Sequence, residues 1–163
     1  LDPTSEFGPL ISAEARDRVS GFVEAGRKEG GELVCGGRAP GGPGYFYEPT
    51  LLANMRSDMT PVKNEIFGPV LCVQAFGDAD LDRVAAEANS TIYGLSGSVW
   101  TRDVGVALQM VRKIDSGQVS VNMHAALDPA VPFGGNKQSG WGREFGAEGL
   151  DAYLKTKAIT VTW

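Results

Sequence analysis

The sequence predicts an α/β fold with a mostly parallel sheet and βαβ units. Two observations carry that prediction. From residue 70 onward, short apolar runs alternate with segments whose apolar residues recur at helical spacing. Hydrophobic residues make up 42% of the 163 and charged residues 21%, which supplies a packed core and argues against disorder.

The elements follow in order. Ser12 reads as an N-cap, with Glu14 in the first turn and Val19, Phe22 and Val23 on one face, so residues 13–29 form a helix that stops at Gly30-Gly31. Residues 32–35 form a short strand. The stretch GGRAPGGPG, 36–44, is a loop, and 45–53 is extended and broken by Pro49. Residues 70–76 read as a buried strand. Helix 80–89 sets Leu81, Val84, Ala85 and Ala88 on one face, and strand 95–100 follows. Helix 103–114 turns Val106, Ala107, Met110, Val111 and Ile114 inward, and strand 117–122 closes the set. Residues 128–146 are Gly-rich and irregular. A short helix over 147–154 leads to a final strand, 158–163, whose alternating, β-branched sequence favours extension.

Bulk properties exclude several functions. The net charge of −5 and pI of about 4.9 argue against a nucleic-acid backbone or an anionic membrane surface as partner. No apolar run approaches the roughly 18–20 residues of a membrane span. The N-terminus has no basic and apolar leader pattern. Cys35 and Cys72 match no metal spacing, and His124 is the one histidine, so no metal site is expected. Reduced thiols point to the cytoplasm. The start, Leu1-Asp2-Pro3-Thr4-Ser5, has no initiator methionine and reads as the middle of a longer chain.

Few residues offer chemistry. Neither G-x-G-x-x-G nor a P-loop occurs, and Gly134-Gly135-Asn136-Lys137-Gln138-Ser139 reads better as a tight turn where backbone approaches backbone. Cys72 lies among Leu71, Val73 and Ala75 as a core thiol. Cys35 has no base nearby in sequence to deprotonate it. His124 follows a strand end in a loop that also holds Asn122, Met123 and Leu127, the place where open α/β sheets bind ligands. It reads as a pocket-lining residue, with general base as the lesser reading. Glu65 and Phe67 stand in front of the Gly68-Pro69 break, at the entrance of a strand that needs neither. A carboxylate accepts hydrogen bonds from a sugar diol and a ring flanks a flat heterocycle, while a surface acid and a turn-packing ring are the plainer alternative.

The segments EIFGPV, NSTIYGLSGSVWT, GQVSVN and PFGGNKQSGWGREFG, in that order, resemble the C-terminal part of the NAD(P)-dependent aldehyde dehydrogenase superfamily. The earlier GPLIS, EGGELVCGG and GYFYEPTLL have the same look, so the resemblance covers the whole chain. It implies the C-terminal part of a catalytic domain over 1–156 and a terminal strand, 157–163, that joins subunits into a homodimer or homotetramer. It implies NAD or NADP as cofactor, since the reader of the 2′-hydroxyl is expected upstream. Glu65 resembles the acceptor for the nicotinamide-ribose hydroxyls, and Phe67 the ring that packs near the nicotinamide. Asn122 and loop 123–132, with His124 and Leu127, resemble the substrate-anchoring loop, and Phe133 the aromatic wall of the aldehyde tunnel. Glu144 resembles a buried acid on the water path, a structural role being an equal reading. Lys137 and Ser139 are expected to hold the loop.

The family's cysteine nucleophile, oxyanion asparagine and general-base glutamate lie upstream of the matching region. The resemblance therefore implies that no residue of this chain carries the covalent step, a thioester formed on that cysteine. Loop 122–133 is similar to that of enzymes acting on arylacetaldehydes, with betaine-aldehyde-like and aliphatic activities as alternatives. The rival to the enzyme reading is a truncated, catalytically silent module that acts only in subunit association.

Overall fold

The computed structural model describes residues 4–77, 80–124 and 127–163. The chain divides into two compact units, Leu1–Asp78 and Ala79–Trp163. The sequence reading draws its boundary at 156/157 instead; composition does not change at 78/79.

The first unit is a helix on a small sheet. α1 (Ala13–Lys28) starts where Ser12, in extended backbone, accepts the Ala15 N–H on its Oγ at 3.2 Å. Glu14 in the first turn and Arg27 and Lys28 in the last match the helix dipole. The helix ends at Glu29, and Gly30 turns away at φ 102°. β1 (Glu32–Cys35) runs antiparallel to β2 (Thr50–Ala53). A one-turn helix, α2 (Thr60–Lys63), follows with Pro61 in its first turn. β3 (Val70–Cys72) then pairs with β2 in parallel, giving the order β1-β2-β3. Val19 and Val23 of α1 pack with Leu52, Met55, Met59, Ile66 and Tyr47 as the core. Each fully buried aliphatic side chain there contributes about 1.5–3 kcal/mol.

The expected buried strand 70–76 is shorter and one-sided. Val70 and Cys72 are half-buried beside the core, whereas Leu71, Val73 and Phe76 are exposed. Regular pairing stops because Asn54 takes φ 54° straight after β2 and removes the partner. The Val73 N–H still donates to Leu52 O at 2.8 Å, but Val73 O accepts from Met55 at 3.1 Å, one residue past Asn54.

The second unit begins with α3 (Leu81–Ala88), capped by Asp80, whose Oδ1 accepts the Arg83 N–H at 3.0 Å. β4 (Tyr93–Gly94) and β5 (Ser96–Val99) follow. α4 (Val104–Lys113) is capped by Asp103, whose Oδ1 accepts the N–H groups of Gly105 (2.7 Å) and Val106 (3.1 Å). β6 (Gln118–Val121) pairs with β5 in parallel, with α4 between them in sequence. β7 (Asn136–Lys137) runs antiparallel to β4, and α5 (Gly146–Asp151) closes the unit. Asn89 ties the two longer helices together: its Nδ2 donates to Lys113 O at 2.7 Å and its Oδ1 accepts the Asp115 N–H at 2.8 Å.

Three small sheets therefore stand where one mostly parallel sheet is expected, with two parallel and two antiparallel pairings among the described residues. Residues 158–163 form no strand. They are exposed throughout and pair with no described strand, and extended backbone without a ladder is not a sheet. No described helix is long and apolar enough to cross a membrane.

Two glycines of α1 should respond oppositely to substitution. Gly21 meets nothing within 4 Å, so Gly21→Ala should stabilise by about 0.5–1 kcal/mol through helix propensity. A Cβ on Gly26 would sit 3.0 Å from Pro61 Cγ and 3.2 Å from Leu52 Cδ1, so Gly26→Ala should cost about 1–3 kcal/mol by overpacking. Urea unfolding midpoints moving in the same direction for both would refute the packing account.

A pH effect follows from the helix end. Glu29 accepts from Thr60 N (2.7 Å) and Thr60 Oγ1 (2.5 Å), and these bonds hold its carboxyl below its ordinary 4.5. A depressed folded pKa gives stability that is present above the ordinary value and lost as pH falls through the depressed one. The stability difference between wild type and Glu29→Gln should thus be constant from pH 7 down to about 5 and shrink below 4.5. A difference independent of pH between 7 and 3 would count against the contact.

Candidate functional site

The residues singled out in sequence belong to both units, and each group is built by its own unit.

In the first unit the chain from Glu65 to Pro69 is a turn pinned at alternate positions. Ile66 is buried in the core at 8% exposure. Gly68 lies against Val19 so closely that a Cβ would come within 2.5 Å of Cγ2. Pro69 O accepts the Thr50 N–H at 2.8 Å, which hands the turn to the sheet. With both neighbours held inward, Phe67 is left at φ 50° and 70% exposed. Glu65 is exposed beside it and makes no hydrogen bond or ion pair among the described residues. An acceptor-only group and an aromatic face are thus presented on a rigid support.

In the second unit the loop after β6 is held at both ends. At its start Asn122 takes φ 55° and clasps Thr101: Oδ1 accepts the Thr101 N–H and Nδ2 donates to Thr101 O, both at 2.9 Å. The backbone N–H of Asn122 donates to Val99 O at 2.9 Å. Two residues on, His124 Nδ1 lies 2.8 Å from Ser98 Oγ on β5. At the far end Phe133 and Glu144 exchange two backbone hydrogen bonds of 2.7 Å. Residues 125 and 126 of the expected loop 123–132 lie outside the described residues.

The Gly-rich stretch behaves as the tight turn expected of it. A Cβ on Gly117 would overlap Gly134 O, and one on Gly134 would overlap Gly142 O. Lys137 Nζ donates to Asn89 O (2.9 Å) and Thr91 O (3.3 Å), and Ser139 Oγ accepts the Gly94 N–H at 3.0 Å. Arg143 Nη1 donates to Gly135 O (2.8 Å) and Gly142 O (2.9 Å), and Nη2 to Asn136 Oδ1 (2.8 Å). A depression of about 330 Å³ beside this turn is lined by Leu95, Phe133, Ser139, Trp141, Arg143 and Glu144.

The comparisons with known proteins bear on these groups. The sequence profile of the aldehyde dehydrogenase family matches residues 1–159. The chain belongs to the aldehyde dehydrogenase family. It is 43% identical over 159 residues to betaine aldehyde dehydrogenase of Bacillus subtilis, covering 95% of this chain and 32% of that protein. It is 41% identical over 163 residues to cytosolic 10-formyltetrahydrofolate dehydrogenase of Xenopus laevis, of which it spans 18%. Among solved structures, an NAD-dependent aldehyde dehydrogenase from Sinorhizobium meliloti superposes with a TM-score of 0.94 at 40% identity, over 99% of this chain and 32% of that one. The NAD+ complex of an aldehyde dehydrogenase from Bacillus cereus gives 0.90 at 40% identity, over 97% and 32%. The chain thus spans about a fifth to a third of the relatives it matches.

Within the aldehyde dehydrogenase frame several expectations change in detail. Glu144 is exposed rather than buried, because only the two-residue bridge with Phe133 pins its backbone and no described element covers its side chain. The Asn122 amide is engaged on the Thr101 backbone through both its oxygen and its nitrogen. His124, Leu127 and Phe133 share the loop's second unit, with Leu127 exposed and Phe133 half-buried. Cys72 is half-buried, not fully buried, and burial pushes its thiol up, away from the reactive thiolate. Cys35 is exposed with Pro49 O beside it. No described cluster of His, Cys, Asp and Glu could hold a metal ion. Ser98, Thr101 and Arg143 escaped the sequence reading; Ser98 lies 26 residues from His124, Thr101 21 from Asn122, and Arg143 7 and 8 from Asn136 and Gly135, and no local pattern marks such pairings.

Replacing Asn122 should test the clasp. Asn122→Ala loses two hydrogen bonds and an easy positive φ, together about 2–3 kcal/mol. Asn122→Gly restores the φ alone and should recover only part of the loss. Equal melting temperatures for wild type and Asn122→Ala would show that the clasp carries no stability.

Proposed function

We propose that this chain is part of an enzyme that oxidises an aldehyde to a carboxylic acid with NAD(P), and that it positions the cofactor's reactive end and one wall of the substrate passage. The observation that carries the reading is the 65–69 turn, a free carboxylate and an outward ring held by buried neighbours.

The residues fit a nicotinamide riboside. A ribose diol offers two donors and Glu65 offers two acceptor oxygens with no described partner of their own. The Phe67 ring offers an apolar face for a flat ring. The nicotinamide supplies, when bound, the acceptor for the hydride. The work of the chain is then orientation: Glu65 and Phe67 fix the pose, Ile66 and Gly68 keep them from relaxing, and Leu127 and Phe133 exclude water from the aldehyde's path. Neither Cys35 nor Cys72 has the setting of a nucleophile, so the reading assigns the covalent step to a thiol outside these residues.

NAD is the favoured cofactor, since similar structures are described as NAD-dependent or as an NAD+ complex; NADP is the alternative. The substrate reading keeps arylacetaldehydes first, with betaine aldehyde supported by the name of a relative. The free thiols support a cytoplasmic location, although relatives carry both cytosolic and mitochondrial names. The terminal segment 157–163, with exposed Ile159, Val161 and Trp163, supports association of copies into a dimer or tetramer by edge pairing.

The test uses the whole protein with phenylacetaldehyde, betaine aldehyde and propanal, following reduced nicotinamide by absorbance. Wild type should turn over at least one of them, and Glu65→Gln should lose about 1–2 kcal/mol in cofactor placement, read as a raised cofactor KM or a slower hydride step. Unchanged kinetics in Glu65→Gln would remove Glu65 from the site, and no turnover with either cofactor would end the aldehyde reading.

A further inference from the structure

His124 brings the imidazole of this chain to the start of the substrate loop, and a serine from the neighbouring strand holds it. Ser98 and Ser120 stand in register on the parallel pair β5 and β6. Past Val121 the chain would leave the sheet, but Asn122 at φ 55° clasps Thr101 and turns it back over the end of β5. His124 then reaches Ser98 Oγ with Nδ1 at 2.8 Å. Ser98 is half-buried, and its hydroxyl hydrogen has one acceptor among the described residues, that nitrogen. A hydroxyl that donates to Nδ1 leaves the proton of a neutral imidazole on Nε2. Nε2 makes no hydrogen bond among the described residues, and His124 is exposed. Of the exposed side chains on the same loop, Met123, Leu127 and Val131 are apolar, and Asp128 accepts the Ala130 N–H on its Oδ1 at 2.9 Å. Among them the Nε2–H is a directed donor, the kind of sparse polar group that orients a ligand in an apolar lining.

We propose that Ser98 is a positioning residue that fixes His124 as an Nε2–H donor, and that this donor receives an oxygen acceptor carried by the aldehyde away from its reacting carbon. The substrate class is therefore an aldehyde with a distal hydroxyl, ether or carbonyl oxygen rather than a plain hydrocarbon aldehyde. The substrate half rests on the aldehyde reading above; the Ser98 half rests on the hydrogen bond alone.

Two measurements on the whole protein separate the halves. Histidine ¹⁵N spectra report the tautomer directly, with the His124 resonances identified by their loss in His124→Gln. Wild type and Ser98→Thr, which keeps the hydroxyl, should show the proton on Nε2, and Ser98→Ala should show a mixture of tautomers. A proton on Nδ1 in wild type, or an identical spectrum in Ser98→Ala, overturns the positioning role. The second measurement is the ratio of kcat/KM for 4-hydroxyphenylacetaldehyde to that for phenylacetaldehyde, a pair that differs by one oxygen. The ratio should fall about tenfold in Ser98→Ala and in His124→Gln, mainly through KM, and return in Ser98→Thr, as for one lost hydrogen bond. A ratio unchanged in both variants overturns the substrate half. Absence of turnover for these aldehydes and propanal in wild type overturns the aldehyde reading and the substrate half with it, while the spectra still decide the role of Ser98.

Discussion

The carbonyl of Gly134 lies against the α-carbon of Gly117 with no room for a side chain between them. That contact joins the start of β6 to the turn at 132–144, and the loop of candidate site residues is what remains between the two. Backbone packed this closely leaves carbonyls that must find donors. Arg143 supplies them to Gly135 and Gly142, and Lys137 does the same for Asn89 and Thr91 at the end of α3. The two cations therefore act as fasteners. Their positions inside PFGGNKQSGWGRE follow from the glycines: without side chains the turn packs, and without the cations its carbonyls are orphaned. This turn fixes one end of the loop and the Asn122 clasp fixes the other, which lowers the entropic cost of closing it.

The first unit solves a similar problem with side chains. Holding Phe67 at φ 50° costs on the order of 1–2 kcal/mol of backbone strain. Burying Ile66 returns about 1.5–3 kcal/mol, which offsets the strain. Gly68 contributes by what it lacks, since Val19 occupies the space of its Cβ. The ring and the carboxylate are outward because their neighbours are inward. Val19, on a helix with no chemistry of its own, thereby sets the pose of both groups.

The sequence made the helices legible because their caps are local. Ser12, Asp80 and Asp103 each begin a helix within a residue of the expected start, and each cap bond spans two or three residues. Strands were harder. Residues 70–76 are apolar at nearly every position and read as buried on both faces, yet Leu71 is 62% exposed, because burial depends on what covers a strand and not on the strand. The tail 158–163 has strand composition and no strand partner among the described residues, so propensity alone produces no ladder. The short helix α2 and the two-residue pair β4–β7 are too brief to leave a period. Glu65, Phe67, His124 and Phe133 were legible by type and place, whereas the Ser98 contact depends on a clasp 21 residues long, which only the folded chain contains.

Five described residues other than glycine hold positive φ: Asn54, Phe67, Asn122, Lys137 and Phe145. Three of them do something glycine cannot. Phe67 presents a ring, Asn122 clasps Thr101, and Lys137 fastens the turn to the end of α3. Glycine at these positions would relieve the backbone and delete the contact. Where no side chain has work to do, as at Gly30 after α1 and Gly140 in the turn, glycine takes the same region of φ. Strained non-glycine residues persist only where the surroundings over-determine them, and they gather at functional sites. Here each is over-determined by an identified contact: Ile66 and Gly68 around Phe67, Thr101 around Asn122, Asn89 and Thr91 around Lys137. Phe67 and Asn122 also head the two groups assigned to the cofactor and to the substrate loop. The strain thus marks where local preference gave way to the placement of a side chain.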